Sequence, residues 1–169
     1  QDKIYPKDPN SITNLTFFSC NLKVDETQNI KKKIIELLNF DIVFFRCFEE
    51  IELVKLMNKK LNPFMLKFNK KFKSNLTLIY SITGIPYIKS KKFINFLDKL
   101  DNNNLTVLFK LATLTKSVVL SYFFIISEIN HNILFKLTNI EYHYQQKRWG
   151  IVSEQKEIEK NYYETLKKI

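Results

Sequence analysis

Glycine occurs only twice in the 169 residues of this chain, and that scarcity excludes a good deal. Ligand-cradling loops use glycine to reach positive φ and to bring backbone N–H groups close to a phosphate. Two glycines can hardly build the tight loops of most α/β active sites. One of them, Gly84, stands in Ile82-Thr83-Gly84-Ile85-Pro86, where Pro86 removes a further N–H. A phosphate cradle would carry several glycines and a Lys-Ser or Lys-Thr at the start of a helix, so this segment reads as a turn. Cysteine is equally sparse. Cys20 and Cys47 lie in or near apolar runs and read as buried free thiols in a reducing compartment. With His131 and His143 they make a C…C…H…H order whose spacings of 27 and 12 residues match no zinc finger or knuckle. No nucleophile elbow or glycine-supported oxyanion loop accompanies a Cys–His pair. These absences predict no enzyme, no metal site, no cofactor and no small-molecule substrate. Long apolar runs are missing too. No window approaches the ~18 residues of a membrane-spanning helix, and the richest, residues 117–127, is short and reads as a buried strand. The chain opens on Gln1, and residues 1–20 do not form an Arg-rich amphipathic presequence, so a transit peptide, if one existed, is already gone.

What the chain does have is positive charge. Lys and Arg number 27 against 17 Asp and Glu, a net +10. Such an excess predicts a polyanionic partner, nucleic acid or an anionic membrane face, although the abundance of Lys, Asn, Ile, Phe and Tyr also fits a codon bias toward A and T. The length suits one core with an appended arm. Residues 1–24, with Pro6 and Pro9, read as an extended N-terminal arm with one short strand at most. Asp25 can cap a helix in which Ile30, Ile34, Leu37 and Leu38 share a face. Residues 41–48 (DIVFFRCF) look like a buried strand. Glu49, Glu50 and Glu52 then suit the positive end of a helix with the stripe Leu53, Val54, Met57 and Leu61, stopped by Asn62-Pro63. Strands are expected over residues 64–72 and 76–81. Ser90 caps a helix bearing Phe93, Phe96, Leu97 and Leu100, ended by Asp101 and the asparagines after it. Two more strands follow, at 105–111 and 117–126, then a short helix at 131–140. This alternation predicts an α/β (α+β) fold, a mixed sheet packed by helices, with the main domain over residues 25–140.

Two stretches point to binding. In residues 64–73, Lys67, Asn69, Lys70, Lys71 and Lys73 are interleaved with Phe64, Phe68 and Phe72. Lysines at strand ends grip RNA phosphates and aromatic rings stack on bases, while the alternative is a core strand with a solvated edge. Arg46, inside an otherwise apolar strand, needs a partner for its guanidinium and joins these residues as a candidate RNA contact. Residues 141–169 form a C-terminal tail. Within it, residues 153–169 place Ile158, Tyr162, Leu166 and Ile169 on a narrow stripe amid charges, which predicts a projecting helix that binds a partner protein.

The strand DIVFFRCF ending in an aromatic–Arg pair, the helix EIELVKLMNKKL, the basic stretch FMLKFNKKF and the segment NLTLIYSITGIP before KKFINFLDKL together resemble the ribosomal stalk-base protein family. These large-subunit proteins, relatives of the acidic P-zero protein, anchor the acidic stalk dimers. The likeness covers about residues 22–126. Arg46 stands at the family's Arg, Cys47 replaces its Gly, and Asn69, Lys70 and Lys71 represent its basic-Asn-Thr triplet out of order. The resemblance implies an rRNA-binding constituent of the large subunit of a mitochondrial ribosome, in the matrix, with rRNA, neighbouring ribosomal proteins and stalk dimers as partners. Two other readings compete: a soluble accessory subunit of an inner-membrane respiratory or ATP-synthase complex, and a mitoribosomal protein with no stalk role.

Overall fold

The computed structural model of the chain describes residues 11–46, 49–80, 90–151 and 153–169. Among these residues there are nine helices and no sheet. The helices are α1 (Ile12–Cys20), α2 (Val24–Asn39), α3 (Ile51–Phe72), α4 (Lys91–Lys99), α5 (Asn102–Thr115), α6 (Val118–Ile125), α7 (His131–Thr138), α8 (Ile140–Trp149) and α9 (Ser153–Lys168). The α/β fold with a mixed sheet is therefore corrected to an all-helical one. One isolated parallel bridge, Phe45 with Ile79, is the sole β pairing among the described residues.

Each misread strand has a physical reason. Residues 64–72 continue α3 straight through Pro63, which lies on the exposed face of the helix. The lost N–H and the ring clash normally break a helix interior. Here the buried stripe Leu53, Met57, Leu61, Met65, Phe68 and Phe72 runs unbroken across the proline at helical spacing and holds both halves against the core. Residues 105–111 belong to α5, capped by the Asp101 carboxylate, which accepts from Asn104 N. Residues 118–125 form α6, whose residues Val118–Phe123 are buried on every side. An all-round apolar helix shows no 3.6-residue period, so the pattern alone cannot separate it from a strand. Residues 41–46 are a connector, not a strand. The turn expected at 82–86 lies outside the described residues, as does Cys47, while Cys20 is an exposed free thiol. Within residues 1–24, Ile12–Cys20 form α1, capped by Ser11.

The core forms around the packed neighbours α5 and α6. Helices α1 and α2 pack on α5, and α3 and α7 pack on α6. Leu105, Leu108, Leu111, Val119 and Leu120 are wholly buried there. A cluster of rings closes the α3–α4–α6 junction: Phe68 lies 5.2 Å from Phe93 and 5.7 Å from Tyr122, and Phe72 lies 5.0 Å from Tyr122. Edge-to-face contacts of this kind add to the area they bury. The polar groups drawn into the core are mostly paired, the Thr106 hydroxyl on α5 being the exception among the described residues. Thr115 Oγ1 donates to Leu111 O, Ser121 Oγ donates to Ser117 O, and Asp41 accepts from Val43 N and Val119 N. The terminal helix does not project freely, as expected, but docks on α7. Leu166 is 1% exposed, Tyr162 shares a hydrogen bond with Thr138, and Ile169 packs at the core's edge; Ile158, at 68% exposure, faces outward.

Candidate functional site

The sequence gives α3 an acidic start. Glu50 is its N-cap residue and Glu52 lies in its first turn, where the helix dipole favours negative charge. Helix α8 ends with Lys147 and Arg148 in its last turn, the complementary preference, and stops at Gly150, whose φ of 90° suits glycine. Packing α8 on α3 brings these two ends together. Arg148 Nη1 donates to Glu50 Oε2 at 2.5 Å, and Tyr144 Oη donates to the same oxygen at 3.3 Å. The Glu50 carboxylate holds the Arg148 guanidinium above its usual range, while desolvation and then the Glu50 charge raise the Tyr144 phenol. Also on α8, His143, a cleft-lining residue, has its Nε2 2.6 Å from Glu159 Oε1, and Gln146 Nε2 donates to Glu159 Oε2 at 3.2 Å. These contacts tie α9 to α8.

Between α3, α7 and α8 opens a cleft of about 1180 Å³. Its floor is apolar, from Leu56, Leu137 and Ile140, with Ile51 and Ile133 at its rim 67% and 42% exposed. Its walls carry both signs of charge: Glu49, Glu50 and Glu52 at one end of α3, and Lys60 on the same helix eight residues beyond Glu52, about 12 Å along the axis. Lys136 and Lys147 contribute from α7 and α8. Glu49, Glu52, Lys60, Lys136 and Lys147 make no ion pair among the described residues. Unpaired charges flanking exposed isoleucines are the makings of a protein-docking surface. No three His, Cys, Asp or Glu side chains converge as a metal site among the described residues, and no described helix is long and apolar enough to cross a membrane.

The residues singled out as RNA contacts lie elsewhere. The Arg46 guanidinium is buried and donates to Asn58 Oδ1, Asn62 Oδ1, Val43 O and Phe45 O, all at 2.7–2.9 Å. It joins the connector to the middle of α3. Asn69 is likewise engaged: its Nδ2 donates to Leu76 O, and its Oδ1 accepts from Ser74 Oγ and Leu76 N. Lys67 pairs with Glu128 at 2.9 Å. Lys70 and Lys71 occupy the last turn of α3, and Lys73 is its left-handed C-cap at φ 49°. Phe68 and Phe72 are in the core and present no face to a base. In the tail, Leu166, Tyr162 and Ile169 serve the chain's own packing, which leaves Ile158 exposed. The cleft residues Ile51, Ile133, Tyr144 and Arg148 were not anticipated. Their one local signal is an isoleucine set among acids in Glu49-Glu50-Ile51-Glu52.

No family model matches the chain, and a search of curated protein sequences finds no significant match. Solved structures do match its helical fold. Atp12 from Paracoccus denitrificans superposes with a TM-score of 0.84 at 18% identity, covering 99% of this chain and 72% of that one. A D202K mutant of the same protein gives 0.83 at 19% identity. Atu1473 from Agrobacterium tumefaciens, a proposed chaperone, gives 0.79 at 16% identity over 95% of this chain and 65% of its own. At such identities the likeness establishes the fold. It overturns the resemblance to the ribosomal stalk-base family, and with it the ribosomal role and the rRNA, ribosomal-protein and stalk-dimer partners.

Proposed function

We propose that this chain is an assembly chaperone of the ATP synthase: not an enzyme, but a protein that holds one subunit before it enters the complex, in the mitochondrial matrix. The observation that carries this is the superposition on Atp12, an ATP synthase assembly chaperone, over 99% of the chain. A fold alone does not assign a function. The cleft adds a site of suitable character, because a subunit held before assembly must have its apolar interface covered, and Ile51 and Ile133 stand exposed beside unpaired charges. Of the competing readings drawn from the sequence, the ATP-synthase accessory subunit lies nearer to this than the ribosomal one.

The deciding experiment separates a chaperone from a subunit. Depletion of the chain should lower assembled ATP synthase on native gels while leaving mitochondrial ribosomes unchanged. The tagged chain should co-purify from matrix with one unassembled ATP synthase subunit and be absent from the finished complex. Stoichiometric co-migration with the finished complex would make it an accessory subunit instead, and normal assembly without it would refute the proposal.

A further inference from the structure

We infer that the α3–α7–α8 cleft takes a single amphipathic helix of the client, about two turns long, with a Lys or Arg against Glu49 and Glu52 and an Asp or Glu against Lys60. This rests on the chaperone reading and names the chemistry its site would recognise. Size comes first. A helix is a cylinder 10–12 Å wide that rises 5.4 Å per turn, so each turn occupies roughly 500 Å³, and a cleft of about 1180 Å³ holds two.

Backbone chemistry then selects a helix over an extended segment. The walls are helices and the floor is apolar. Among the described residues there is no sheet edge to which an extended peptide could add. A strand lying on that floor would bury N–H and C=O groups without partners, whereas a helix satisfies its own. This is the helix-in-groove mode, read through apolar anchors on one face.

Charge fixes the register. The acidic end of the wall and Lys60 are eight residues apart on α3, about 12 Å. Helical positions seven or eight apart lie on one face at nearly that spacing, so opposite charges two turns apart on the client meet both ends at once. Apolar residues between them would cover Ile51 and Ile133.

The chain carries its own reporter. Trp149 is its one tryptophan, 67% exposed, and its ring lies 5.7 Å from the guanidinium of Arg148, a residue that lines the cleft. The full chain is titrated with a capped 12-residue Ala/Leu helix bearing Arg and Glu seven positions apart on its Leu face, followed by Trp149 fluorescence. The control peptide carries Gln at both charged positions. The charged peptide should bind at least fivefold more tightly at low salt, and the advantage should vanish near 1 M salt. Glu49→Gln with Glu52→Gln should erase it as well. Ile51→Ser with Ile133→Ser should weaken both peptides at least tenfold without shifting the melting temperature, since both side chains are solvent-exposed. Equal affinities for the two peptides, or indifference to the isoleucine changes, would overturn the inference. So would self-association in sedimentation that the same isoleucine changes abolish, because a second copy would then be the occupant. In cells, the isoleucine variant should lower assembled ATP synthase several-fold. Full assembly with that variant would refute the cleft's role and leave the chaperone reading standing. Normal assembly without the chain would refute the chaperone reading, and the peptide titration would then decide the cleft alone.

Discussion

Asp41 makes the sharpest test of the core. It is wholly buried where the 41–46 connector meets α6. Its Oδ1 accepts from Val43 N at 2.9 Å and its Oδ2 from Val119 N at 2.8 Å. Burial pushes its pKa up from 3.8 to about 6, and the hydrogen bonds oppose that rise without cancelling it. The folded chain therefore keeps a proton between these two values that the unfolded chain releases. Asp41 contributes stability that is fully present below about pH 4 and lost as the pH rises through about 6. The whole effect is about 3 kcal/mol, of which about 2 to 3 kcal/mol falls between pH 7.5 and pH 4. Asp41→Asn removes the titration but turns an amide NH₂ toward one of the two N–H donors, a loss of about 1–3 kcal/mol. The variant should thus be close to wild type near pH 7.5 and clearly weaker near pH 4. Urea unfolding midpoints of both proteins across that range measure the gap, and taking the difference cancels the other titrating groups. A wild-type-minus-variant difference that stays flat across the range would refute the assignment of the proton to Asp41.

Two further outcomes test the packing. Leu166→Ala should cost about 2–4 kcal/mol by opening a cavity where α9 meets the core, whereas Ile158→Ser should change the urea midpoint little; equal effects would mean that α9 is not docked as described. Arg46→Lys keeps the charge but loses the planar fork that reaches two asparagines and two carbonyls, and should cost about 2–4 kcal/mol in urea unfolding; a loss below about 0.5 kcal/mol would show that charge alone suffices there.

The amphipathic helices were legible in the sequence because one face of each meets water. Ile30, Ile34, Leu37 and Leu38 announced α2, and Ser90 with Phe93 and Leu97 announced α4 together with its cap. Helix α6 was hidden by its own burial, since residues with no solvent-facing side write no period. In α5 the spacing of Leu105, Leu108 and Ala112 was present, but Thr106, Val107 and Phe109 between them suggested a strand. Pro63 concealed the second half of α3, since local chemistry favours a break and only the tertiary stripe through Met65, Phe68 and Phe72 overrides it. Of the cleft, the sequence showed only that Glu49, Glu50 and Glu52 suit a helix start. Its opposite wall lies more than eighty positions further along, and nothing local connects Glu50 to Arg148.

Continuity of α3 also changes the meaning of the basic residues. Its 22 residues carry one side of the protein for about 30 Å. Its acids, Glu50 and Glu52, gather at the N-terminal end, while Lys70 and Lys71 sit in its last turn. Each set opposes the partial charge at its end of the helix, so the lysines of residues 64–73 have an explanation without a polyanion. Of the interleaved phenylalanines, Phe68 and Phe72 belong to the buried stripe, and the partly buried Phe64 packs against Phe123, 5.3 Å away. Midway, Arg46 grips Asn58 and Asn62 on α3, while Asp41, five residues before it, holds Val119 on α6. The cleft's acidic wall therefore stands on a helix clamped through one short connector to the centre of the core. The residue that looked most like an RNA contact instead fixes where that helix stands.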